Sequence, residues 1–282
     1  MYILTIIILI IAAILQLILG NIPIHLFYFP INAILLIALV LGIVMLPTQP
    51  KNRLAVAMTQ FGTKKGALTT ITILLLNVIV LGLAPQYYSP SSWLFVASMI
   101  LLLLSLGLTI KKRILSGIKL KTWRDTAFVL AHVGLWIALT AGLFGVADSV
   151  SLRLKAFMNV PTNRAVLTQT DKDGIHHPYI LPFNITANTF TIDKADGHPI
   201  RYSASITTLT QDSTASDLVT RTNAPASYKG YDIYLTDYDA SHEDKPEFIV
   251  LEITRQPWRY ITLTGILMLI LGCITYALFK IR

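Results

Sequence analysis

Six apolar runs, each close to the length of a membrane span, constrain this chain more than any other feature of its sequence. They lie at about 2–20, 26–46, 66–84, 93–110, 126–145 and 259–279. An α-helix needs roughly 20 mostly apolar residues to cross the hydrocarbon core of a bilayer. The pattern therefore predicts a membrane α-helical bundle of six transmembrane helices, with five spans in residues 1–145 and the last in residues 259–282.

The placement of charge predicts how this bundle is oriented. Loops 47–65 and 111–125 are basic, whereas loops 21–25 and 85–92 contain no Lys, Arg, Asp or Glu. Since basic loops stay in the cytoplasm, we expect both termini there and residues 146–258 on the extracytoplasmic side. The excess of 23 basic over 15 acidic residues then reflects topology in membrane lipid, and we expect no nucleic acid partner.

The segment between the last two spans, residues 146–258, has the pattern of an extracytoplasmic β-rich domain. Apolar alternation from Leu181 to Asp193 changes phase after Ala187, which indicates half-buried strands interrupted by a turn or bulge. Further strands are expected at 201–210, 231–236 and 247–254. The sequence therefore predicts an antiparallel sheet or sandwich inserted between the fifth and sixth spans.

His132 is the main candidate for a functional residue, because it lies about 9 Å into the fifth span and ionisable groups at that depth are usually functional. Phe128 and Trp136, four residues to either side, are expected to flank the imidazole, an arrangement suited to a planar ligand such as haem. The structural alternative is a histidine that bonds a carbonyl of a neighbouring helix. Small residues of the same span permit close approach of another helix: Gly134, Gly142 and Gly145.

His25 is a weaker candidate for a ligand, at the outer mouth of the second run. It adjoins Phe27, Tyr28 and Phe29, which an interfacial aromatic belt also explains. The single cysteine, Cys273, excludes an intramolecular disulfide, a CxxC thiol pair and c-type haem attachment on this chain. Signatures such as GxSxG, HExxH and GxxxxGK[ST] are also missing from the sequence, so no catalytic residue is predicted.

From about Arg124 to its C-terminus, the chain resembles the ResB-like (CcsB-type) cytochrome c biogenesis proteins. The resemblance rests on the order of four motifs: LAHVGLWIALTAGLFGVADS from Leu130, Pro182-Phe183, YKGYDIYLTDYD from Tyr228 and QPWRYITLTGILMLILG from Gln256. It implies a subunit of System II, the holocytochrome c synthase of the bacterial cytoplasmic (inner) membrane, which helps carry haem across the membrane and present it to apocytochrome c. It also implies an accessory role beside a CcsA-like haem-handling protein that carries the tryptophan-rich motif.

The resemblance implies haem b as the cofactor, bound transiently or during transport. His132 is then the expected axial ligand of the iron, with Phe128 and Trp136 in the haem slot, His25 as the weaker candidate and the second axial ligand from the partner. An alternative from a different class is a cofactor-free membrane scaffold or permease-type subunit whose outer domain binds a protein partner.

Overall fold

The computed structural model describes residues 1–47, 49–85, 88–116, 122–170, 175–196, 198–210, 212, 214–242 and 245–280. The chain divides into two compact units. The first combines Met1–Asp148 with Trp258–Arg282, and the second is Ser149–Pro257.

The first unit is built from seven α-helices in the part of the chain that the structure describes. They are α1 (Tyr2–Leu19), α2 (Ile31–Met45), α3 (Arg53–Thr59), α4 (Lys64–Leu83), α5 (Trp93–Leu115), α6 (Trp123–Gly145) and α7 (Arg259–Lys280). Among the described residues, five helices are long and apolar enough to span a membrane, namely α1, α4, α5, α6 and α7. The prediction of a bundle of apolar helices is thus confirmed, whereas the count of six spans stays a prediction.

The second predicted span, 26–46, differs most from its expected form. Its helix α2 has 15 residues, which rise about 22 Å, less than the roughly 30 Å of a bilayer core. The helix begins only after Pro30, because proline lacks a backbone N–H and is excluded from helix interiors. Before it, Ile24–Phe27 form a 3₁₀-helix that follows Pro23.

The short helix α3 lies in the basic loop 47–65 and was not expected from the sequence. Asn52 begins it: the side-chain Oδ1 accepts a hydrogen bond from the backbone N–H of Ala55 at 2.7 Å. Asparagine at this position satisfies one of the free N–H groups of a first turn, which is why so short a helix starts there.

Helices α6 and α7 approach each other at glycine. A Cβ atom added to Gly134 of α6 would lie 2.5 Å from the backbone N of Leu269 and 2.6 Å from the carbonyl oxygen of Gly265 in α7. A Cβ atom added to Gly265 would lie 2.5 Å from the backbone N of Ala138. Glycine on both sides therefore brings the two backbones into direct contact, the usual packing of small residues between membrane helices.

The other two glycines of α6 behave differently from each other. A Cβ atom on Gly145 would lie 2.6 Å from Cβ of Trp258, whereas one on Gly142 would meet no atom of the described residues within 4 Å. The prediction that glycines of this span permit close approach of another helix is thus confirmed for Gly134. Gly145 lies against the side chain of Trp258, just before α7, and the prediction for Gly142 is not tested by any described helix.

The second unit contains one sheet of eight strands among the described residues. The strands are β1 (Val150–Phe157), β2 (Thr162–Thr170), β3 (His176–Ala195), β4 (His198–Thr210), β5 (Ala215–Arg221), β6 (Ala226–Tyr228), β7 (Tyr231–Tyr238) and β8 (Phe248–Arg255). Their order is β5-β4-β3-β2-β1-β8-β7-β6, and each neighbouring pair is antiparallel. The predicted antiparallel β-rich domain is therefore confirmed. The register of β3 against β4 shifts between Ala187 and Thr189, at the predicted interruption.

The sheet folds over to enclose its own apolar core. Along β1 the side chains of Leu152 and Leu154 are fully buried, in alternation with exposed neighbours. Phe190 of β3 stacks on Tyr238 of β7 with ring centroids 4.7 Å apart, although these strands are not neighbours in the sheet. Contact between distant strands shows that the buried face is closed by the sheet itself, as in a sandwich.

Candidate functional site

His132 lies half-buried in α6, and its own helix fixes its ring. The Nδ1 nitrogen is 2.9 Å from the carbonyl oxygen of Phe128, one turn earlier. Since a carbonyl oxygen can only accept, Nδ1 carries the hydrogen and the neutral ring keeps its lone pair on Nε2. The carbonyl belongs to α6 itself rather than to a neighbouring helix. The Nε2 nitrogen is therefore the atom available to a metal ion.

The phenyl ring of Phe128 covers one face of this imidazole. The two ring centroids are 3.9 Å apart with an interplanar angle of 24°. The guanidinium carbon of Arg113, in the last turn of α5, lies over the Phe128 ring, 5.8 Å from its centroid. Arg113 forms an ion pair with Asp125, whose other carboxylate oxygen accepts a hydrogen bond from the Thr122 hydroxyl at 2.7 Å. The site therefore combines a charged group at Arg113, the aromatic ring of Phe128 and the Nε2 nitrogen of His132.

Trp136 takes a different direction from the one expected. Its Nε1 donates a hydrogen bond to the carbonyl oxygen of Leu103 in α5 at 3.1 Å. A Cβ atom on Gly107 would lie 3.2 Å from this Nε1, so glycine at that position leaves room for the indole. The structure therefore brings Phe128 and His132 together, whereas Trp136 faces α5.

His25 lies in the 3₁₀-helix Ile24–Phe27 and is exposed. The side chains of Tyr28 and Phe29 beside it are also exposed, at 57% and 64%. Exposed aromatic residues of this kind are typical of a membrane interface, and the assignment of His25 as a weaker ligand stays a prediction.

The sequence did not single out Asp148, which joins three helix ends of the first unit. One carboxylate oxygen accepts a hydrogen bond from the backbone N–H of Phe29 at 2.8 Å. The other accepts from Nδ2 of Asn32 at 2.8 Å and from Nε1 of Trp258 at 2.7 Å. Asn32, only 2% exposed, also donates to the carbonyl oxygen of Phe144 at 2.9 Å. An acid directly after one apolar run and an asparagine within another were the available signals, because both are costly in a membrane unless paired.

Asp239, directly after β7, has a strongly perturbed carboxyl group. Hydrogen bonds hold its pKa far below the usual range: first that of the Ser241 hydroxyl, then that of His242, with the backbone N–H of Glu247 adding to them. The same carboxylate, 2.9 Å from Nδ1 of His242, raises the pKa of that histidine. Asp239 therefore organises the turn that leads from β7 towards β8.

Comparison with known proteins shows what part of this chain resembles. Residues 121–250, from just before α6 to the first residues of β8, match the model of the ResB-like family. The match agrees with the sequence motifs, and the predicted resemblance to the ResB-like family is confirmed. No curated protein sequence matches the chain. Among solved structures, a cytochrome c haem lyase, CcmF, is similar with a TM-score of 0.39 and 12% identity, over 87% of this chain and 38% of that chain.

Proposed function

We propose that this chain is a membrane subunit of a System II cytochrome c maturation complex, in which His132 holds haem b during its passage across the membrane. The observation that carries the general role is the match of residues 121–250 to the ResB-like family. The matched region runs from α6, which carries His132, to β8. A part in cytochrome c biogenesis is what this family relationship supports, and the haem site is the finer step.

The geometry of His132 suits an axial ligand of haem iron. In such sites one ring nitrogen typically donates to a carbonyl oxygen, which orients the imidazole and leaves the other nitrogen for the metal. The 2.9 Å bond from Nδ1 to the Phe128 carbonyl supplies this arrangement. Phe128 lies on the face of the imidazole and not on its edge, so the approach to Nε2 in the ring plane is not covered by the phenyl group.

The residues beyond Phe128 can receive the polar edge of a haem. The side chain of Arg113 is 49% exposed, and its guanidinium has five N–H donors, more than its ion pair with Asp125 uses among the described residues. A guanidinium is well suited to the carboxylates of the propionate groups. We infer that Arg113 anchors a propionate while Asp125 fixes its position.

A bound haem would be the group that becomes attached to the thiols of apocytochrome c. The residues of this chain hold and orient it: His132 through Nε2, Phe128 by apolar contact and Arg113 by charge. The second axial ligand and the tryptophan-rich motif would come from a CcsA-like partner. The β-rich unit, on the extracytoplasmic side of a bacterial inner membrane, would present its surface to apocytochrome c.

Co-purification and a maturation assay test this proposal together. An affinity tag on this chain should recover a CcsA-like protein from the native membrane. Deletion of the chain should abolish the covalent attachment of haem to cytochrome c, while the total amount of haem in the cell persists. A cofactor-free scaffold or permease-type subunit predicts normal cytochrome c in the deletion strain. Clean recovery of the chain alone, with cytochrome c maturation intact, would overturn the proposal.

A further inference from the structure

A cavity of about 630 Å³ lies among α2, α5 and α6, and His132 is not one of its lining residues. Aliphatic side chains such as Val40, Val44 and Ile114 form most of its wall, and the indole of Trp136 forms another part. Its size is within the range of sites for small molecules in proteins. Because the wall is almost wholly apolar, a molecule that fits it must have an apolar body.

Lys111 is the charged residue in this wall. Its Nζ donates hydrogen bonds to the carbonyl oxygens of Ile43 at 3.0 Å, Val44 at 2.7 Å and Leu46 at 2.5 Å. Two of these carbonyls belong to the last turn of α2 and the third to its C-cap residue, where they have no partner within the helix and where the helix dipole favours a cation. The three hydrogen bonds therefore hold the ammonium group at the cavity.

The charge of Lys111 has no counter-ion in the part of the chain that the structure describes. Arg113, two residues later in α5, pairs with Asp125, whereas no described carboxylate lies within 4.0 Å of the Lys111 ammonium. Carbonyl oxygens satisfy its hydrogen bonds but leave its full positive charge. A cation at the edge of an apolar cavity in a membrane protein attracts an anion.

We propose that this cavity binds an anionic phospholipid, with an acyl chain between α2, α5 and α6 and the phosphate beside Lys111. The lipid is the molecule in the surrounding bilayer that combines a flexible apolar chain with a negative head group. Basic pockets between membrane helices, near the basic ends of those helices, are known to bind such head groups. The site is separate from His132, so the proposal does not depend on a role in haem handling.

Fluorescence of Trp136 reports directly on this cavity. The purified full-length chain in detergent is titrated with phosphatidylglycerol or phosphatidylcholine carrying brominated acyl chains, which quench nearby tryptophan. The Trp136→Phe variant identifies the share of the signal that comes from this indole. We expect phosphatidylglycerol to quench Trp136 at about fivefold lower concentration, the effect of one lysine contact with an anionic head group. Equal quenching by the two lipids would overturn the proposal.

The neighbouring lysine provides a matched control. Lys112 donates to the carbonyl oxygens of Thr59 at 2.8 Å and Gly62 at 3.1 Å, and it does not line the cavity. Lys111→Met should abolish the preference for phosphatidylglycerol, whereas Lys112→Met should retain it.

Native mass spectrometry of the unmodified chain gives a second measurement, which does not require that any variant folds. Phosphatidylglycerol should remain bound after detergent removal more often than phosphatidylcholine. Equal retention of the two lipids, a preference that survives in Lys111→Met, or saturable quenching of Trp136 by haemin but not by phosphatidylglycerol would each contradict the assignment.

Discussion

The Nδ1 nitrogen of His132 lies 2.9 Å from the carbonyl oxygen of Phe128, one helical turn earlier in α6. The side chain of Phe128 also stacks on the imidazole, so a single residue contacts the histidine through both its backbone and its ring. The backbone contact sets the tautomer and the ring contact limits rotation. Both belong to α6, so the orientation of His132 does not require a partner protein.

Substitution of Phe128 separates these two contacts. Phe128→Ala keeps the backbone carbonyl but removes the stacked ring, so Nδ1 keeps its hydrogen bond and Nε2 its lone pair while the apolar contact is lost. We expect a complex that still binds haem but retains it several-fold less well during purification. Haem per mole of complex, from the absorption spectrum, measures this. Phe128→Leu should give an intermediate value, and haem content unchanged in both variants would contradict a role for the ring.

The contact between Gly134 and Gly265 predicts a steric effect on the stability of the bundle. A methyl group at Gly134 meets backbone atoms of α7, which cannot move aside as a flexible side chain can. Gly134→Ala should therefore destabilise the protein by about 1–3 kcal/mol, the usual cost of overpacking. Thermal unfolding in detergent measures it. Gly142→Ala is the matched control, because no atom of the part of the chain that the structure describes lies within 4 Å of the added methyl group. An equal loss of stability in both variants would rule out this steric explanation.

Asp148 predicts a second effect on the stability of the first unit. Asp148→Asn removes the negative charge and replaces one acceptor oxygen with an N–H₂ group, although three donors point at this side chain. We expect a loss of about 1.5–3 kcal/mol, the range for a hydrogen bond to a charged group. Asp193→Asn, whose carboxylate is 54% exposed and 4.0 Å from Arg201, should have little effect. Unfolding followed by tryptophan fluorescence compares the two, and a stable Asp148→Asn variant would show that the carboxylate charge is not needed.

The sequence predicted the division into apolar helices and an inserted sheet, because both depend on local periodicity. It predicted the bulge at Ala187 for the same reason, since a change of phase is visible within one strand. The start of α2 at Ile31 was missed, although Pro30 is a local signal, because the apolar run continues through the proline. Hydropathy alone therefore overestimated the length of this helix.

The candidate site was predictable only in part. A spacing of four residues correctly placed Phe128 beside His132, because both lie on one helix. The same spacing could not predict that Trp136 bonds the Leu103 carbonyl, because that contact depends on which helix packs against α6 and on the glycine at position 107. The contacts of Asp148 could not be predicted from the sequence for the same reason, since its partner Asn32 lies 116 residues away in the chain.

The ion pair of Asp239 and His242 predicts a pH dependence of local stability in the β-rich unit. The raised pKa of His242 makes its contribution complete below its ordinary value of 6.5, and this contribution is lost as the pH rises through the folded pKa. The lowered pKa of Asp239 makes its contribution complete above 3.8, and this contribution is lost as the pH falls through the folded pKa. The turn should therefore be most stable between about pH 4 and 6.5.

Hydrogen exchange at the amides of Ser241 and Glu247, which donate to Asp239, measures this effect. After correction for intrinsic rates, both amides should be better protected at pH 5.5 than at pH 8. His242→Gln should remove the difference, whereas His198→Gln, at an exposed position in β4, should keep it. Protection that does not change with pH in the unmodified protein would disprove the contribution of this pair.

The haem content of a His132→Gly variant, measured with and without imidazole, tests the central proposal most directly. Co-purified with its partner, this variant should lose most of its haem absorption per mole of complex, because the axial nitrogen is gone and only apolar and charged contacts remain. Added imidazole should restore the absorption by occupying the cavity left by the ring, and His25→Gly should retain haem. Normal haem absorption per mole of folded His132→Gly complex, unaffected by imidazole, would contradict the assignment of His132 as the axial ligand.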